Sequence, residues 1–101
     1  MPTTRYRYPL SHDAELVVWF LTERSEVTSY AVVLLVRDQD HLAPVRVYDN
    51  AHGQNELHRH TRTGGKQAAE PHLQASHGEA MRAAIAEILA GYDKMVQGWR
   101  R

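Results

Sequence analysis

The chain has no cysteine, a single phenylalanine, four prolines and no net charge, its twelve Lys and Arg offsetting twelve Asp and Glu. Without cysteine there is no disulfide, no thiolate metal ligand and no cysteine nucleophile. No apolar run approaches the roughly 18 residues that a membrane-spanning helix needs. No leader-like segment precedes the first strand-like run, so the expectation is a cytoplasmic protein with no membrane partner. What is present is an ordinary globular balance: 43 % apolar and 24 % charged residues, away from the composition of disorder. A length of 101 residues predicts one α+β domain over 1–101 with a modest core. For such a core a homodimer or a bound partner is a natural source of extra stability.

Zero net charge conceals local imbalance. Residues 46–66 carry Arg46, Arg59, Arg62 and Lys66 against Asp49 and Glu56, while the first 26 residues are net negative. A weakly basic patch attracts phosphate, although such a surplus is common on ordinary surfaces.

Hydropathy patterning orders the chain. Residues 5–10 alternate weakly and read as an edge strand or extended arm near Pro9. Residues 15–23 and 28–38 are apolar, β-branched runs that predict buried strands, with a turn between them. Residues 39–44 read as a loop ending at Pro44. Residues 45–50 alternate, with Val45, Val47 and Asp49 on one face and Arg46, Tyr48 and Asn50 on the other. After the turn chemistry of 50–55, alternation resumes over 56–62, placing Glu56, His58, His60 and Arg62 together and Leu57, Arg59 and Thr61 opposite. Residues 63–75 read as a loop.

The last segment predicts a helix. Ser76 followed by Glu79 is a capping box, and Met81, Ile85, Ile88, Tyr92, Met95 and Trp99 recur at spacings of four and three. Ala84, Leu89 and Val96 widen the stripe to that of a helix lying on a sheet, and its aromatic and Met residues read as core. The expected architecture is an antiparallel β-meander of about four strands packed against one long C-terminal helix.

The chemistry concentrates in 47–66. His58 and His60, two apart on a strand, project to one side with Cα atoms roughly 6.5 Å apart. That spacing suits two imidazoles flanking a phosphate, one as general base and one as general acid, as 2′-hydroxyl attack on RNA requires. Arg62 and Lys66 would stabilise charge on the phosphate oxygens, while Arg59 points away. Tyr48 is either core or a residue at the site mouth. Asp49 would fix a histidine tautomer, and Asn50 would cap the turn. The same histidines could instead bind a metal with a third ligand from His52, Asp49 or His72, but the spacings match no zinc signature and no cofactor is expected. A polar hairpin with solvent-facing histidines is the third reading. His12, His41 and His77 read as loop or cap residues.

The segment YDNAHG, followed by HRH and then by GEAMRAAIAEI opening the helix, resembles the small TumE-type toxins of bacterial toxin–antitoxin systems over roughly residues 45–90. Where those proteins have a denser histidine run, this chain has LHRHTR. The resemblance implies a toxin acting on RNA and neutralised by a helix-turn-helix antitoxin, and it touches Tyr48, Asp49, Asn50, His52, His58 and His60. The function expected is therefore a metal-independent endoribonuclease-like toxin, with His58 and His60 in acid–base roles, Asp49 orienting a histidine, and Arg62, Lys66, Arg59, Tyr48 and His52 near RNA. The alternative is a non-enzymatic binding or regulatory module that docks another chain through an exposed sheet edge.

Overall fold

The computed structural model describes residues 3–101. Seven strands and one helix are present among these residues: β1 Thr3–Pro9, β2 Ala14–Glu23, β3 Glu26–Asp38, β4 His41–Asp49, β5 Glu56–Thr61, β6 Gly65–Lys66, β7 Glu70–Pro71 and α1 His77–Arg100. The sheet is antiparallel and runs in sequence order from β1 to β6, with β7 sharing the outer side of β5 with β6. The protein is thus an α+β meander closed by a C-terminal helix, but with seven strands rather than about four. The segment 63–75, expected as a loop, contains β6 and β7, which are two residues each. Two residues carry no periodicity, so these strands exist only through their pairing with β5.

Strand alternation builds the core. On β2 and β3, Ala14, Leu16, Val18, Tyr30, Val32, Leu34 and Val36 are buried on one face. Their cross-strand pairs, Leu16 with Leu34 and Val18 with Val32, align β-branched and aliphatic side chains. The connection between these strands is only Arg24 and Ser25, both at positive φ (53° and 68°). That is the two-residue hairpin turn whose twist matches the flanking strands, occupied here by residues that pay a steric cost for it.

The third hairpin is tighter than expected. His41–Pro44 belongs to β4 rather than to a loop, and the register shifts so that Leu34 faces Arg46 while Leu35 faces Pro44. A proline, which cannot donate to the ladder, is tolerated at such a bulge. The extra residue is Val45, so Val45 and Tyr48 are both buried in the core. Simple alternation, which grouped Val45 with Val47 and Asp49, fails at this bulge. Asn50 lies just beyond β4, yet its side chain extends the ladder: Oδ1 accepts from the Tyr30 amide (3.0 Å) and Nδ2 donates to the Thr28 carbonyl (3.1 Å). It bonds the neighbouring strand rather than capping its own turn.

The helix begins where the capping box requires. The Glu79 amide donates to Ser76 Oγ (3.1 Å), and Ser76 Oγ donates to the Glu79 carboxylate (2.9 Å). Helix α1 packs over β3, β4 and β5. Ala80, Met81, Ala84, Ile88 and Trp99 are buried, and Ile85, Tyr92, Met95 and Val96 pack against them. Leu89, expected to widen this stripe, is instead exposed at its edge. The Tyr92 hydroxyl donates to the Leu10 carbonyl (3.1 Å) and Arg100 pairs with Asp13 (3.2 Å), tying the helix to the β1–β2 connection. No helix among the described residues is long and apolar enough to cross a membrane.

Candidate active site

The helix covers one sheet face, and the candidate site lies on the other. In the β4–β5 ladder Asp49 faces Glu56, and Val47 faces His58. Cross-strand partners project to the same side, so two carboxylates and an imidazole meet there. The His58 Nε2 atom lies 3.7 Å from Asp49 Oδ1 and 3.8 Å from Glu56 Oε1. Both separations exceed hydrogen-bond range. His58 is only 4 % exposed, and its buried Nδ1 has no hydrogen-bond partner among the described residues. His52, in the β4–β5 loop and 74 % exposed at its side chain, brings Nδ1 to 3.2 Å from Glu56 Oε1. Asp49 also accepts the Ala51 amide (3.2 Å), which fixes its carboxylate at the start of the turn.

His60 follows His58 on the same side by alternation and pairs in register with Lys66 of β6. Burial pushes the His60 imidazole below the usual histidine range; a backbone hydrogen bond at His58 opposes this, and the positive charges of Lys66 and His58 add to it. Lys66 is presented by the turn at Gly65, whose φ of +69° strains any residue with a Cβ.

The remaining expected site residues lie elsewhere. Tyr48 is fully buried on the helix side, where its hydroxyl donates to Glu87 (3.1 Å) and accepts from Arg46 (3.4 Å). Burial pushes its hydroxyl above the usual tyrosine range. His72 packs edge-on to Tyr48 with ring centroids 4.9 Å apart, and it pairs with Glu87 at 2.6 Å, so it is no candidate third ligand for His58. Arg59 is also on the helix side and pairs with Glu70 (2.6 Å). Arg62 lies past the end of β5, where its guanidinium pairs with Asp38 at the β3–β4 hairpin (3.2 Å) and its amide donates to the Trp99 carbonyl (3.0 Å). The structure therefore groups Asp49, His52, His58, His60 and Lys66, and it separates Tyr48, Arg59 and Arg62 from them.

Two residues acquire importance only here. Glu56 completes the carboxylate pair, a position that alternation with His58 already indicated. Asn55 is a buried hub: it accepts from the Tyr30 hydroxyl (2.9 Å), lies 3.0 Å from His77 Nδ1, and donates to the carbonyls of Leu73 and Ala75 (3.0 Å each). It pins the segment after β7 beneath the start of α1. Burial, together with the negative charge of Asp49, pushes the Tyr30 hydroxyl up to about 12.

Chemically, the site offers a buried imidazole between two carboxylates, a second imidazole biased toward its neutral form, and an ammonium group. Asp49, Glu56 and His58 also present ligand atoms within 4.8 Å of one another. Donors about 2.1 Å from one shared ion would sit roughly 3–3.5 Å apart, close to the separations around His58. The mixed carboxylate and imidazole set suits a divalent transition metal. No curated protein and no solved structure matches the chain. Over residues 1–101 it belongs to the family described as "Domain of unknown function (DUF7718)".

Proposed function

We propose that this protein is a small endoribonuclease-like toxin, neutralised in the bacterial cytoplasm by a helix-turn-helix antitoxin. The observation that carries the reading is the alignment of His58 and His60 on the sheet face away from the helix, with Asp49 and Glu56 beside the first and Lys66 beside the second. The YDNAHG and HRH segments, which resemble TumE-type toxins, supply Asp49, His58 and His60.

The chemistry is transesterification of an RNA phosphodiester. His60, biased to neutrality by burial, takes the proton from a 2′-hydroxyl as its oxygen bonds to phosphorus. The bond from phosphorus to the 5′-oxygen breaks, and His58 delivers a proton to that leaving oxygen. The Asp49 and Glu56 carboxylates, 3.7 and 3.8 Å from Nε2, supply the counter-charge of a proton-carrying His58. Lys66 stabilises charge on the non-bridging oxygens. The products are a 2′,3′-cyclic phosphate and a 5′-hydroxyl.

Expression of the chain alone is expected to arrest growth and cleave cellular RNA, and His58→Ala or His60→Ala is expected to relieve both. Intact RNA together with alanine variants that remain toxic would sink the reading. A second reading, metal-assisted hydrolysis, is favoured by one observation: His58 Nε2 stands at ligand-like rather than hydrogen-bond distances from its carboxylates. Full activity in the presence of a strong chelator selects the acid–base mechanism, whereas activity lost to chelator and restored by added Mn2+ or Zn2+ selects the metal.

A further inference from the structure

At the far end of β5 a groove of about 260 Å3 opens between the strand and the last turns of α1. Its charged lining is of one sign: Arg46 from β4, Arg59 from β5 and Lys94 from the helix, with the Gln67 amide at the rim and no carboxylate among the described lining residues. Met95 and the buried Trp99 close its inner wall. Lys94 has no ion-pair partner among the described residues. Arg46 has only the Tyr48 hydroxyl at 3.4 Å, and Arg59 is held by Glu70 at a half-exposed contact. Arg46 and Lys94 thus face the groove with no ion-pair partner among the described residues, beside an Arg59 that Glu70 neutralises, and an anion there would remove the repulsion between them. The groove is smaller than the ~300–1,000 Å3 of enclosed small-molecule pockets, and it is open along one side, as a track for a charged backbone would be.

His60 borders this groove as well, although its side chain alternates to the opposite face, so the groove lies across β5 from the candidate catalytic pair. We infer that the groove is a phosphate subsite for single-stranded RNA. A backbone phosphate of the bound strand is held by Arg46, Lys94 and Arg59 as the strand crosses the β5–β6 edge. This rests on the RNase reading for its choice of ligand, but it assigns residues that the acid–base chemistry does not use. It also gives Arg59 a role on the helix side, where the fold has placed it.

The test is binding of a short 2′-O-methyl RNA, which cannot undergo the cleavage, to the full chain by fluorescence anisotropy over a range of salt. Lys94→Gln and the double variant Arg46→Gln/Lys94→Gln are expected to weaken binding, the double by about 10-fold. The slope of log affinity against log salt is expected to fall by up to about 0.7, the value for one single-strand phosphate contact. Arg24→Gln in the β2–β3 turn is expected to bind as the unaltered chain does. Because Lys94 is exposed, its single variant keeps the test valid if Arg46→Gln perturbs folding. Unchanged affinity and slope in a folded Lys94→Gln protein overturn the subsite. Groove-dependent binding by a protein that cleaves no RNA upholds the subsite and removes the RNase reading, while cleavage with unaltered binding in both variants does the reverse.

Discussion

Tyr48 and His58 stand on neighbouring rungs of one ladder, buried on opposite faces of the sheet, and the contrast between them is instructive. The Tyr48 hydroxyl is fully enclosed and has partners in Glu87 and Arg46. The His58 ring is almost as deeply enclosed, yet Nδ1 has no partner among the described residues and Nε2 stands beyond hydrogen-bond reach of two carboxylates. Buried polar groups are ordinarily satisfied, and leaving one unmade costs about 1–3 kcal/mol. Tyr48 is therefore explained by the architecture that surrounds it. His58 is not: an orphaned Nδ1 is found at His60 and His72 as well, and what sets His58 apart is the pair of carboxylates beside Nε2.

This contrast can be broken by substitution. The largest effect is expected on activity: His58→Ala and His60→Ala should each lower RNA cleavage by roughly 10²–10⁴-fold, the usual contribution of a general acid or base, as measured by single-turnover cleavage of an oligonucleotide. Next comes the helix-covered face, where Ile88→Ala should cost about 2–5 kcal/mol in urea unfolding because it leaves a cavity under α1. Tyr48→Phe should then cost about 0.5–1.5 kcal/mol. His58→Leu should by contrast be neutral or stabilising, since it ends an unsatisfied burial; a loss as large as that of Tyr48→Phe would make His58 structural. Gly91→Ala should gain about 1 kcal/mol in the same assay, as an added Cβ meets only the Met95 methyl at 3.5 Å. A further effect is confined to alkaline pH. Tyr30 ionises near 10 when unfolded and at about 12 when folded, so the native state holds its proton longer. Its contribution is complete below pH 10 and lost as pH rises toward 12, a decline that Tyr30→Phe should reduce.

Much of this was legible in the residues because period-2 alternation and helical spacing are local signals. Strands β2, β3 and β5, the capped helix and the shared side of Glu56, His58 and His60 all follow from them. Arg62 illustrates where the argument stops. Alternation grouped it with the histidines, but β5 ends at Thr61, and beyond a strand end alternation no longer dictates direction. An acidic partner on the β3–β4 hairpin, Asp38, then holds the side chain. Tyr48 shows a second limit, for a face can be assigned from alternation, but which face the helix covers cannot. Val45 shows a third, because one extra residue at a bulge reverses parity without any mark in the pattern.

The sequence by itself determined strands β2, β3 and β5, the C-terminal helix and the concentration of ionisable groups in 47–66, since each depends on residues a few positions apart. Only the tertiary structure decided that Glu56 and Asp49 converge on His58, that Lys66 reaches His60, and that Arg46, Arg59 and Lys94 share a groove. Those meetings depend on strand register, on two short strands that pair with β5, and on the line along which α1 crosses the sheet. All three are set by long-range packing that no local periodicity records.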